Sequence, residues 1–120
     1  MNNLQVLHKF WSGFDLPAYD ETTVPLQAST PYITYEVAED FFGSPRQISA
    51  SLWYRSTSWT EITEKSKEIS QKITRGGIMI PTDEGAIWIK LGTPWAQRMP
   101  DSTDDSIRRI VLAIEVEFIS

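Results

Sequence analysis

The sequence predicts an α+β domain with the element order α-β-β-α-β-β-β, in which helices pack on one side of a mainly antiparallel sheet. Apolar residues recur at helical spacing in two segments and alternate with polar residues in several others. The chain has 120 residues, 41% of them hydrophobic, which is an ordinary globular composition. We therefore expect one domain, residues 1–120, built around one core.

The first helix is predicted over residues 3–14, where apolar side chains recur every three or four positions. Gly13 and Pro17 are expected to end it. Residues 15–31 contain three prolines and several acidic or hydroxyl side chains. This composition predicts an irregular connector that is long enough to have a purpose of its own.

Two strands are predicted next, at residues 32–38 and 46–54, with a turn over 39–45 between them. Because the strands are close in sequence, we expect an antiparallel hairpin. In the second strand apolar residues alternate with polar ones, and Trp53 falls on the polar side. Only one face of this sheet is therefore expected to be fully buried.

The second helix is predicted over residues 58–74. Ser58 and Glu61 have the spacing of a capping box, in which each side chain satisfies a backbone N–H at the start of the helix. Trp59 begins an apolar stripe that is expected to face the sheet. Gly76-Gly77 is expected to supply the left-handed residue that ends the helix.

The remainder of the chain is predicted to be β. Strands at 78–81 and 86–91 are expected to pair around a four-residue turn at 82–85. Residues 92–106 are predicted to form a second long polar loop. The last strand, 107–119, has the cleanest apolar alternation in the sequence.

Charge and cysteine content exclude several function classes. Eleven basic and sixteen acidic residues give a net charge of −5, and the basic residues form no stripe, so tight binding of nucleic acid by the monomer is not expected. The chain has no cysteine, which excludes disulfides, thiolate metal sites and cysteine nucleophiles. No apolar run is longer than five residues, so neither a membrane span nor a secretory signal is predicted.

Motifs for catalysis are weak. His8 is the one histidine, and no G-x-S-x-G motif is present. The acidic stretch 101–105 lacks the spacing of a calcium loop, and the glycines match neither a P-loop nor a dinucleotide-binding fingerprint. We therefore predict no catalytic, cofactor-binding or metal-binding residue. A carboxylate pair for glycoside hydrolysis stays possible among the sixteen acids, so a small hydrolase is a distant alternative.

Aromatic residues are the more informative feature, since they make up 12% of the chain. Several fall in predicted loops or on the outer face of the predicted sheet, where large apolar side chains are typical of contacts between subunits. The alternative is that a long loop folds back and buries its own aromatics. The candidate interface residues are Trp53, Trp88, Trp95, Met99, Phe41 and Phe42.

Three segments resemble a known family. They are Pro31–Tyr35 after the first helix, Ser51–Tyr54 running into Ser58–Ile62, and the closing strand Arg109–Glu117. In these patterns of residue type the chain resembles the tail terminator proteins of long-tailed bacteriophages and their prophage relatives. The resemblance covers roughly residues 3–118.

The resemblance implies a structural virion protein, assembled in the host cytoplasm, that is not an enzyme. Such proteins form a ring, expected to be a hexamer, that ends the tail tube and joins the tail to the head connector. The implied partners are further copies of the chain, the tail-tube protein and the connector protein. DNA would pass through the lumen without specific binding, since six copies carry a charge of about −30.

Other functions stay open beside this one. The alternatives assemble through the same kind of contact between subunits. They are a head-closure or neck protein, another minor tail protein of the same virion, and a subunit of a bacterial tail-like machine. In each case the ring needs two different surfaces that meet head to tail. The sequence suggests the outer sheet face with Trp53 as one surface and the loop 92–106 of the neighbour as the other.

Overall fold

A computed structural model describes residues 1–37, 45–100 and 103–119 of the chain. These parts contain two α-helices, one 3-10 helix and six strands. In chain order they are α1 (Asn3–Trp11), the 3-10 helix (Ser12–Phe14), β1 (Ala18–Asp20), β2 (Tyr32–Tyr35), β3 (Arg46–Arg55), α2 (Thr60–Ile73), β4 (Ile78–Thr82), β5 (Gly85–Pro100) and β6 (Ile107–Ile119). The α+β class is therefore confirmed, with one strand more than the predicted order.

All six strands form one sheet in the order β1-β2-β3-β6-β5-β4. Neighbouring strands are antiparallel except β1 and β2, which are parallel. The prediction of an irregular connector over 15–31 is wrong for Ala18–Asp20. A three-residue strand is too short to show alternation, and it is held by backbone bonds to β2 such as that from the Ile33 N–H to the Pro17 carbonyl, 2.8 Å long.

One face of the sheet carries the core. Alternate residues of β3, β5 and β6 are buried there against both helices. Trp11 of α1, Ile69 of α2 and Leu112 of β6 are fully buried. Because α1 contacts both edge strands, β1 and β4, the sheet curls around this helix.

The ends of α2 differ from the prediction. The helix begins at Thr60 with Trp59 as its N-cap residue, so Ile62 rather than Glu61 stands at the third helical position and the predicted capping box does not form. Instead the Ser58 hydroxyl oxygen accepts the Thr60 N–H at 3.1 Å. At the other end Thr74, not a glycine, takes the positive φ of 66°.

Gly77 serves the next strand rather than the helix end. It has a φ of 86°, and a Cβ there would lie 2.7 Å from the Ile89 carbonyl oxygen and from the Trp88 indole nitrogen. Only glycine lets the chain pass this close to β5.

The long loop predicted over 92–106 is wrong for residues 92–100, because β5 continues to Pro100, whereas residues 103–106 lie outside the strands as predicted. The register along β6 changes between Leu91 and Ala96, which pair with Ile114 and Leu112. Residues 92–95 therefore stand opposite the single residue Ala113 as a bulge. The bulge interrupts the alternation of apolar and polar residues along β5. The pattern of residues therefore does not predict the part of the strand that follows it.

The remaining strands are present, but two of their predicted ends are wrong: the strand predicted over 32–38 ends at Tyr35, and the turn predicted at 82–85 is confined to residues 83–84. The antiparallel pairing of β2 with β3, the β4–β5 hairpin and the strand 107–119 are all present. The predicted turn 39–45 lies outside the described residues up to position 44. No helix in the described ranges is long and apolar enough to cross a membrane.

Candidate functional site

The face of the sheet opposite the helices is called the open face here, because neither helix of the described chain packs on it. Alternate residues of β2, β3 and β6 fill the core, so the residues between them point to the open face. In register across these strands stand Tyr32, Trp53 and Arg109.

The open face carries a row of aromatic rings that crosses three strands. The rings of Tyr19 and Tyr32 meet edge to face with centroids 5.8 Å apart. Tyr32 in turn stacks on Trp53 at 6.4 Å with an interplanar angle of 28°. The Arg109 guanidinium lies 4.6 Å from the Trp53 ring centroid. Met99, which is 41% exposed, pairs with Arg109 and extends the row onto β5. We call these five residues the aromatic row.

Buried hydroxyl groups hold the row in place. The Trp53 indole N–H donates to the Thr34 hydroxyl at 2.9 Å, and the Arg109 Nε–H donates to the Ser51 hydroxyl at 3.1 Å. Thr34 and Ser51 are both buried. The Trp53 ring and the Arg109 guanidinium are therefore held in place before any partner binds, which lowers the entropy lost when a contact forms.

Trp88 of β5 also lies on the open face, beside the C-terminal end of β6. Its indole N–H donates to the Gly76 carbonyl at 3.2 Å, and the Lys90 ammonium, 4.2 Å from the ring centroid, also pairs with Glu115 at 3.4 Å. Trp88 is in register with Glu117. Glu117 and Arg109 are eight residues apart in β6, which is about 27 Å along the strand. Trp88 is therefore not part of the aromatic row.

The other predicted interface residues have separate surroundings. Trp95 lies in the bulge, half-buried and packed against the core. Phe41 and Phe42 lie outside the described residues. Among the four candidates that the structure describes, it therefore brings together Trp53 and Met99, through Arg109.

Tyr19, Tyr32 and Arg109 belong to the row but are not among the interface residues predicted from the sequence. Their meeting depends on strand register and on the parallel pairing of β1 with β2, neither of which alternation alone reveals. The one available signal was the hairpin, which places an aromatic residue of its first strand opposite Trp53.

Trp59 was predicted to be buried between helix and sheet, but it is half-buried at the edge of the core. The guanidinium groups of Arg98 and Arg108 lie 4.8 Å and 5.2 Å from its ring centroid. Its position as N-cap residue, outside the first helical turn, explains this partial exposure.

His8 is held by two hydroxyl groups. Its Nδ1 lies 2.9 Å from the Tyr35 hydroxyl oxygen, and its Nε2 lies 3.4 Å from the Ser12 hydroxyl oxygen. Burial, with a smaller contribution from Asp20, raises the pKa of Tyr35, so its hydroxyl is neutral at physiological pH. A neutral hydroxyl lacks the charge with which a triad carboxylate stabilises an imidazolium, so this geometry favours a structural role for His8.

Within residues 1–37, 45–100 and 103–119, no three side chains of metal-binding type lie together. Comparison with protein-family models, with curated proteins and with solved structures finds no match to this chain. The likeness to the tail terminator family therefore rests on the three sequence segments quoted above.

Proposed function

We propose that this chain is a structural virion subunit that forms a ring at the head-proximal end of a phage tail tube. In this proposal the ring stops growth of the tube and joins it to the head connector. The open face is the surface by which the ring binds the end of the tube. The structural observation that carries the proposal is the aromatic row. The family resemblance supports it from the sequence.

Two properties of the aromatic row support a role in assembly. Its aromatic rings are half-buried within their own subunit, so a partner that covers them removes further apolar surface from water. Aromatic and arginine side chains are also the types that dominate the binding energy of protein interfaces. The hydrogen bonds that hold Trp53 and Arg109 in place also reduce the side-chain entropy lost on binding.

The charge of the chain is compatible with a DNA passage. Each copy carries −5, so a ring of six would repel the DNA backbone rather than hold it. Such repulsion suits a lumen through which DNA slides during ejection.

The proposal is tested with Trp53→Ala and a matched control, Trp59→Ala. Both residues are half-buried tryptophans with an arginine over the ring, but Trp59 lies on the helix side of the sheet. Trp53→Ala leaves the buried Thr34 hydroxyl without its donor, which costs the monomer about 1–3 kcal/mol, and weakens each assembly contact by about 2 kcal/mol or more. Trp59→Ala should cost the monomer at least as much and leave assembly intact.

The assay combines urea melts of each variant with electron microscopy of tail tubes polymerised in its presence. Capped tubes of limited length are expected with wild type and Trp59→Ala, and uncapped tubes with Trp53→Ala. If Trp53→Ala caps tubes as well as wild type does, the open face is not the binding surface. If wild type leaves tubes uncapped and instead binds the head connector alone, the protein is a neck subunit.

A further inference from the structure

The segment between β1 and β2, residues 21–31, is called the arm. It contains a β-turn in which the Ala28 N–H donates to the Pro25 carbonyl at 3.1 Å. Leu26 occupies the first corner position of this turn, and its exposed fraction of 104% shows that it touches nothing in its own subunit. A partner that covers this leucine would remove its whole side chain from water.

The arm carries one charged side chain, the Glu21 carboxylate. Glu21 begins it and Asp20 immediately precedes it, while residues 20–31 include no lysine or arginine. The Asp20 carboxylate accepts the Thr22 N–H at 2.9 Å and so fixes the base of the arm. The base of the arm is therefore held by a hydrogen bond, and its charge is negative.

A cleft of about 500 Å³ opens elsewhere on the molecule, between α1, the last turn of α2 and β4. Its volume is in the range of ligand-binding sites. Lys9 and Lys72 stand among its lining residues, and none of the described residues that line it is acidic. The apolar part of the lining is aromatic and aliphatic: Phe10, Phe14, Ile78 and Ile80.

We infer that the arm of one subunit docks in this cleft on the next copy of the chain, with Leu26 on the apolar lining and Glu21 near the two lysines. This inference rests on the proposed function, and it identifies the contact between neighbours in the ring. Apolar complementarity and opposite charge both match the arm to the cleft. The arm replaces the 92–106 loop, most of which belongs to β5, as the partner surface.

The two surfaces belong to different edges of the sheet. The arm leaves the sheet at β1, which is one edge, and the cleft is built partly on β4, which is the other edge. Arm and cleft are different surfaces, so the contact is head to tail and can close after a fixed number of copies. Each subunit then donates one arm and receives one.

The test uses one variant of each surface. Leu26→Ser removes the apolar group of the arm and should weaken association about 10- to 100-fold. Gly13→Leu fills the cleft, since Gly13 lines it and a Cβ at this position meets nothing within 4 Å. Leu4→Ser is the matched control, because Leu4 is also exposed, at 45%, but belongs to neither surface. Sedimentation velocity measures the assembly state, and thermal melts confirm that each variant is folded.

Mixing supplies the decisive measurement. Leu26→Ser keeps an intact cleft and Gly13→Leu keeps an intact arm, so the two variants should form a 1:1 heterodimer that grows no further, although neither assembles alone. If both variants assemble as wild type does, the arm–cleft contact is wrong while the proposed function stands. If only Gly13→Leu blocks assembly, another segment fills the cleft and the arm assignment is wrong. If wild type neither associates nor caps tubes at any concentration, both proposals fail.

Discussion

Gly92 lies in the bulge of β5 and packs directly on Ala113 of β6. A Cβ built at this position would lie 2.8 Å from the carbonyl carbon, the carbonyl oxygen and the Cβ of Ala113. Ordinary van der Waals contact begins at 3.4 Å, so Gly92→Ala requires a shift of about 0.6 Å. The atoms in the way belong mainly to the backbone of β6, at the centre of the sheet, and they cannot rotate aside.

Overpacking of this kind typically costs about 1–3 kcal/mol. For a domain of this size we expect Gly92→Ala to lower Tm by about 4–12 °C. The assay is a urea melt and a thermal melt followed by tryptophan fluorescence and circular dichroism.

Gly13→Ala is the control, since its Cβ meets nothing within 4 Å. It should be neutral or stabilise the fold by about 0.4–1 kcal/mol, because alanine restricts the unfolded chain. If Gly92→Ala is as stable as Gly13→Ala, the bulge yields easily and the close packing on Ala113 does not constrain it.

Two further predictions concern the core and pH. Trp11 is fully buried, so Trp11→Ala should cost about 3–5 kcal/mol in urea melts, and Trp11→Phe should cost less because the indole N–H has no hydrogen-bond partner among the described residues. Hydrogen bonds from the Ser106 side chain and backbone, and then from Arg55, lower the pKa of Asp104 to about 2. The folded pKa lies below the unfolded value, so the stabilisation is complete above about pH 4 and is lost as the pH falls toward 2. NMR titration of the carboxyl carbon checks this value, and Ser106→Ala should raise the pKa toward its ordinary value, whereas an unchanged titration would contradict the assigned cause.

The segments that were predictable from sequence are those in which one face is buried without interruption. The alternation in 107–119 and 46–54 follows from strands that face the core on one side and lie open on the other. The helix 60–73 shows an equally regular stripe. In these segments local pattern and tertiary burial agree, so the pattern is a reliable guide.

The features that were missed depend on contacts between distant segments. β1 exists only because β2 is beside it, and β5 continues past Leu91 only because β6 supplies a partner beyond the bulge. The cap at Ser58 was misplaced by one residue, which is enough to change its hydrogen-bond partner. The aromatic row likewise needs the register of five strands, so the sequence identified Trp53 and Met99 but not the arginine that joins them.

The two edges of the sheet limit how copies of this chain can associate. An exposed edge strand offers unpaired N–H and C=O groups to which a further strand can add, and this is the usual route to fibrils. Here the edge strand β1 has three residues, and the edge strand β4 has five, one of which is Pro81 with no N–H to donate. Strand addition at either edge would gain few hydrogen bonds. High local concentrations of the protein should therefore not drive the sheet to extend from one molecule to the next by backbone pairing.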